Sequence, residues 1–465
     1  MIRSIRVVMF LAVAAAAGLG ARPASAQAPA RQCLLQYETS TGNTRTNAQK
    51  IPSGQYNFFQ GGGVTYHCEG QDNTLIADSA EYYGDQKVLY LIGRVHYTEP
   101  RAKVDSDRMT YYQIEDRLRA EGNVNVRTQT GTTIRGPLID YYRATTARPL
   151  ARTIATGRPH MSIAQRQTGA QPPEPVDIVA NSLVAEGDNL VYASGNVEVT
   201  RPDLIAKSDS AFLDGTREFA RLMKTPSVQS RKGRPFTLSG GVIDLFSRNR
   251  QLERVVSTPS GHVLSQDLEL VADTVDLRIS ANQIQRVIAW GKRTRARALS
   301  PDRQVIADSI EAVMPDQRLR EVRAIGNAYA NSIPDTSRIV STERDWMRGD
   351  SVIAEFDSIA PGDTAAKPKA KRIVASGSAS SFYQLASSGG PGKTLPNLNY
   401  VRGRIIVVDF VDRAVSTVNV VDQASGVYLE PSAAPTRGTT TGARAPGQPA
   451  APPPALVPDP RRRNP

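Results

Sequence analysis

The sequence predicts an all-β protein, an elongated, twisted β-jellyroll or solenoid-like stack of tandem two-strand repeats in one or two modules. Three observations carry this. Apolar and polar residues alternate at period two around a recurring glycine, and β-branched residues dominate the apolar positions. After the first residues, no stretch keeps apolar side chains at i, i+3, i+4 and i+7 for three turns. The alternating pattern returns in about ten units of ~25–38 residues from Leu75 to about Glu430, the signature of a repeat array.

Residues 1–26 have a basic start at Arg3 and Arg6, an apolar run from Val7 to Gly20, and Ala24-Ser25-Ala26 before Gln27. That is the pattern of a secretory signal with an A-x-A cleavage site, and the run is shorter than the ~20 residues that span a bilayer. An exported, soluble mature chain is expected. Residues 27–70 hold the two cysteines of the chain, Cys33 and Cys68. In an oxidising compartment an even pair reads as a disulfide, stapling a first hairpin; closing a loop of this length is worth about 3–4 kcal/mol. The four histidines are scattered and no Cys-x-x-Cys occurs, so neither a metal site nor any cofactor is expected.

The repeats begin near residue 71. Around Gly93, residues of one parity are Leu89, Leu91, Val95 and Tyr97; around Gly122 they are Leu118, Ala120, Val124 and Val126. The face recurs around Gly195, Gly326 and Gly377, while the other parity is mostly polar. Ahead of each glycine strand comes a second strand marked by a small polar residue. Examples are Ile76-x-Asp78-x-Ala80-x-Tyr82, Asp107-x-Met109-x-Tyr111, Val179-x-Asn181-x-Leu183 and Val401-x-Gly403-x-Ile405-x-Val407. A glycine inside a strand marks a bulge, a bend or a close backbone approach. The once-per-repeat Asp78, Asp107, Asp209, Asp273, Asp308 and Asp350 read as corner positions, since they lack the paired carboxylates and oxygen-rich loop that calcium needs.

The Pro-rich stretch 164–176 is a linker or a long loop, so the array divides into a first module over 71–163 and a second over 177–430, or runs through as one. Residues 360–372 read as a loop inserted in one unit. From 431 to 465 the Pro/Ala/Arg-rich sequence has too few apolar side chains to offset ordering, and a disordered tail is expected. The formal charge of +12 shrinks on inspection. Three arginines lie in residues 1–26 and the tail carries a net four, which leaves about +5 for the body. Nucleic acid is therefore not an expected partner.

The stretches "LIADSAEYY…VLYLIGRVHY", "AKVDSDRMTYY…RLRAEGNVNV" and "QVIADSIEAV…LREVRAIGNAYA" resemble the repeats of the OstA-like/LptA family of periplasmic lipopolysaccharide-transport proteins. The likeness is best over 71–163 and 177–335 and fades after about 340. It implies a twisted β-jellyroll without enzyme activity, located in the periplasm and in contact with the outer membrane. Such a protein holds the acyl chains of lipid A in its interior and stacks edge to edge with other jellyrolls or copies of itself. Carried over by position, the inward residues would be Ile76, Ala80, Tyr82, Leu89, Met109, Leu118, Val124, Leu183 and Val197. Arg94, Arg117 and Arg127 would meet lipid phosphates at the rim. The small inward residues support two readings, an apolar groove for acyl chains, each methylene worth ~0.8 kcal/mol, or a closed, dry core in a structural or adhesive scaffold.

Overall fold

The computed structural model describes residues 33–38, 45–164, 175–232, 235–249, 251–265, 268–315, 318–334, 337–357, 369–386, 393–411 and 414–431. The expected signal segment, most of the Pro-rich stretch 164–176 and almost all of the expected tail lie outside these residues. Among them there is no α-helix, and the strands join in one antiparallel sheet of 32 strands.

At one end β1 (Leu35–Glu38) and β2 (Arg45–Lys50) pair with the two halves of β3 (Tyr56–Cys68). Long strands follow as a meander: β4 (Thr74–Tyr83), β5 (Val88–Thr98), β6 (Ala102–Tyr112), β7 (Arg117–Thr128) and β8 (Thr133–Tyr142). Thereafter many strands divide at the midpoint. β9 (Arg152–Thr156) and β10 (His160–Ile163) take the two halves of β8. β11 (Val176–Val179) and β12 (Ser182–Glu186) pair with β10 and β9 on one side and with the two halves of β13 (Leu190–Thr200) on the other, and β13 pairs with β14 (Leu204–Asp214). The sheet therefore crosses the Pro-rich stretch without a break, with Ile163 opposite Val176.

From β14 two ladders run side by side. One passes through β15 (Phe219–Met223), β18 (Val242–Arg248), β19 (Gln251–Thr258), β22 (Thr274–Ser280), β23 (Gln283–Trp290) and β26 (Ser309–Val313). The other takes β16 (Ser227–Ser230), β17 (Phe236–Ser239), β20 (Gly261–Ser265), β21 (Glu269–Ala272), β24 (Ala296–Leu299) and β25 (Arg303–Ala307). They rejoin on β27 (Glu321–Ser332), which leads to β28 (Asp345–Phe356), β29 (Ala370–Leu385) and β30 (Asn397–Val411). β31 (Ala414–Val421) and β32 (Ser425–Leu429) close the far end on the two halves of β30.

Each long strand is thus creased. One half belongs to a first wall and the other half to a second, and the inner faces of both walls meet in one apolar core. Hairpins alternate between the two free edges, opposite the crease.

Glycine and its partner make the crease. Gly122 has φ +73° and Asn123 φ +46°, and the register of β7 with β8 slips between Glu121 and Val124. The same pair of positive φ values recurs at Gly93-Arg94, Gly195-Asn196, Gly326-Asn327 and Gly377-Ser378. A residue with Cβ would be strained there, and at Gly93 an added Cβ would stand 2.5 Å from Asp78 Oδ2. Asp107, Asn181, Asp308 and Asp350 press on their glycines in the same way. The once-per-repeat aspartates are the other half of the crease. Asn123 Nδ2 donates to Asp107 at 2.8 Å, Arg94 binds Asp78 at 2.7 Å, and Asp273 accepts the N–H groups of Arg293 and Thr294 at 2.8 and 2.9 Å.

The crease also corrects the alternation expected for the strand that faces each glycine. In β6 the inward set changes from Ala102, Val104 and Ser106 to Met109 and Tyr111, so the parity flips at Asp107-Arg108. In β4 it changes from Leu75 and Ala77 to Ala80 and Tyr82. Ile76, expected inward, is therefore turned out and 45% exposed. In β30 the buried residues are Ile406 and Val408, where the sequence pattern had placed Ile405 and Val407 inside. The glycine strand itself keeps its parity because two residues, not one, are absorbed in its kink.

Candidate functional site

The interior between the walls is the candidate site. Of the residues expected to line it, Ala80, Leu89, Met109, Leu118, Val124, Leu183 and Val197 do face inward and are at most 2% exposed, and Tyr82 packs half-buried against them. Around these residues the interior is filled by the chain's own side chains. Tyr97, Tyr111 and Tyr141 add bulk at the open edge of the crease, and Tyr97 and Tyr141 approach ring to ring from opposite walls at 6.4 Å.

A buried polar clasp closes the mouth in this section. Arg143, at the free edge of the first wall, is 3% exposed. Its Nε donates to Glu99 at 3.2 Å on the second wall's edge, its Nη1 to Asp116 at 3.2 Å on the first, and its Nη2 to Gln71 at 2.6 Å on the second. Tyr97 and Tyr141 donate to Glu99, and Tyr111 donates to Asp116 at 2.7 Å. Burial, with the neighbouring carboxylates second, pushes the three phenols far above their ordinary range, so they serve as permanent donors. The Cys33–Cys68 disulfide, as expected from the sequence, sits against this clasp, with Cys68 Sγ 3.7 Å from Arg143 Nη1. Gln113, from the first wall's edge, donates to the Cys33 carbonyl at 3.2 Å and ties the two edges again. Nothing in the alternating pattern marked Arg143, because it lies just past the end of β8 and its partners are up to 75 residues away.

Further along, the mouth changes. The layer nearest the crease stays sealed: Ala272, Val275, Ala289, Ala296 and Ala307 are fully buried. Nearer the free edges burial is uneven: Leu204 and Leu252 are buried, whereas Leu213, Phe236, Ile279, Ile284, Val305 and Met314 are only half-buried. Between the β18–β19 and β22–β23 hairpins, at the first wall's free edge, lies a 530 Å³ cavity lined by Phe246, Leu252 and Ile279 and by Arg248, Arg254 and Arg278.

Of the three arginines expected at the rim, Arg94 and Arg127 stand elsewhere. Arg94 lies at the crease, paired with Asp78, which it holds below the usual carboxylate range. Arg117 is at the first wall's edge, but its guanidinium stacks on Tyr112 with its centre 4.0 Å from the ring centroid and pairs with Glu115 and Asp140 at 2.8 and 3.0 Å. Arg127 is exposed on the outer face of the second wall. Paired Arg and carboxylate side chains cover much of the first wall's outer face, with Arg221 on Asp244, Arg254 on Asp276, Arg286 on Glu311 and Arg372 on Asp409. These are cross-strand pairs that support the sheet.

One buried carboxylate makes a pH prediction. Asp345 accepts from Gln384 N at 3.0 Å and Nε2 at 3.2 Å, yet burial pushes its carboxyl up to about 6. The unfolded value is near 3.9. The folded chain therefore holds this proton more tightly than the unfolded chain does. Its penalty is absent below about pH 4 and fully present above about pH 6. Asp345→Asn is expected to raise the urea midpoint at pH 7.5 and leave it unchanged at pH 3.5; equal midpoint shifts at both pH values would remove the assignment.

No group of His, Cys, Asp and Glu suited to a metal ion occurs among the described residues. No family model matches the chain, and no curated protein matches it.

Proposed function

We propose that the chain is a non-enzymatic periplasmic carrier that shelters the acyl chains of a lipopolysaccharide-like amphiphile between its two walls. The observation that supports this reading is the edge layer from β14 to β29, where apolar side chains such as Leu213, Phe236, Ile279, Val305 and Met314 pack on the core but stay only partly buried. An acyl chain laid on them would complete their burial at ~0.8 kcal/mol per methylene. Its seat moves from the clasped first section to this open one. The rival, a scaffold with a closed core, draws its support from the clasped section, where the same inward pattern is filled.

The ends of the stack supply the partners. β32 is exposed along its length, and β31–β32 and β1–β2 each have one edge that no described strand pairs with. Such edges recruit another strand. Another jellyroll, or a second copy of this chain, would extend the sheet.

The test is photo-crosslinking in cells. A photoreactive residue at Phe236 or Met314 is expected to capture a lipopolysaccharide-sized adduct, whereas one at Met109 or Leu118 is not. No adduct from either group would leave the scaffold reading standing.

A further inference from the structure

We infer that the cavity between the β18–β19 and β22–β23 hairpins is a seat for the anionic head of an amphiphile whose chain enters the mouth beside it. The inference rests on the carrier reading and goes further, naming the head-group chemistry as a phosphate and its place on the rim.

The cavity joins two surfaces. On its inner side stand Leu252, a core residue, and Ile279, partly buried against the core. On its outer side stand Arg254 and Arg278, neighbours across the β19–β22 ladder. Register slips next to Phe246 in the first hairpin and next to Ile279 in the second. Each strand pair therefore turns at the edge, and residues of both sheet faces line the space between the two hairpins.

Its charge is unbalanced. Asp276 is 2% exposed and accepts from both guanidiniums, from Arg254 at 2.8–3.1 Å and from Arg278 at 3.0 Å. One carboxylate thus orients two cations and neutralises one. Arg248 completes the lining and pairs with Glu253 at 3.4 Å. Three arginines face two carboxylates around a space of 530 Å³. Arginines pinned by a buried acid are preorganised and keep unused N–H donors, the arrangement that favours a phosphate oxygen over water. A phosphate here has an apolar path at its back over Leu252 and Ile279. A free phosphate ion would use only the arginines, whereas a phospholipid uses both surfaces.

The experiment compares extraction by the full exported chain from phosphatidylcholine vesicles carrying either phosphatidic acid or diacylglycerol with the same acyl chains. The expected result is a preference of about tenfold for phosphatidic acid, the effect of one or two charge-assisted hydrogen bonds. Arg248→Gln with Arg278→Gln is expected to abolish that preference while leaving diacylglycerol extraction unchanged. Equal extraction of both lipids, or a preference that survives the double substitution, would overturn the head-group seat and leave the carrier reading intact. Extraction of neither lipid would overturn both. Inorganic phosphate at the lipid's own concentration should not displace phosphatidic acid; displacement would mean that the cavity recognises the free ion.

Discussion

Replacing Arg143 by leucine is expected to cost about 3–5 kcal/mol and to open the first section of the stack, the effect of removing one partner from a buried charge network. Glu99 and Asp116 have side chains 10% and 3% exposed, and Arg143 pairs with both. Without the guanidinium, two carboxylates and three phenols would face one another across the mouth. Urea unfolding would report the loss as a lower midpoint. Hydrogen exchange would localise it, with faster exchange in β5–β8 than in β27–β30. A second variant keeps the assignment open to failure. Arg143→Met with Glu99→Gln and Asp116→Asn removes all three charges and should regain much of the loss, because a neutral set of similar shape avoids burying unpaired charge. If the triple variant is no more stable than Arg143→Leu, the clasp is packing alone.

Gly122→Ala carries the second large effect. The position has φ +73°, a conformation that costs an L-residue about 1–2 kcal/mol, and an added Cβ would overlap the Asp107 side chain. Overpacking at a fixed crease adds about 1–3 kcal/mol. A total of about 2–5 kcal/mol is expected from chemical denaturation. Asp107→Ala in the same chain should return the steric part and leave the backbone part, so the double-mutant cycle separates the two. Gly136, on the neighbouring β8 but without positive φ, is a control, since an added Cβ there meets Pro159 at 3.3 Å rather than a carboxylate. An equal loss at Gly136 and Gly122 would mean that the crease has no special backbone demand.

Much of the fold was legible because its signals are local. Alternation around Gly93 and Gly122 announced strands, the repeat announced a stack, and Cys33 with Cys68 announced the staple. Alternation failed where the backbone stops counting by two. Ile76 and Ile405 were misplaced because a bulge passes between them and their neighbours, and period two holds only while each residue advances the pleat by one step. The aspartates were recognised as corner residues, but only coordinates show that they fill the space a Cβ would need at the glycines.

The site was legible only in part. By itself the sequence determined which side chains are apolar, which parity they share, and that a glycine interrupts each strand; these are properties of neighbouring residues along one chain. Only the tertiary structure decided that Arg143 meets Glu99 and clasps the two edges over β4–β8, and that Arg254 and Arg278 share the buried Asp276 while Arg94 sits at the crease. Those facts depend on how far apart the two walls stand and on which hairpins meet across them. Distances between residues dozens of positions apart are set by the accumulated crease and twist of every intervening strand, which no local pattern encodes.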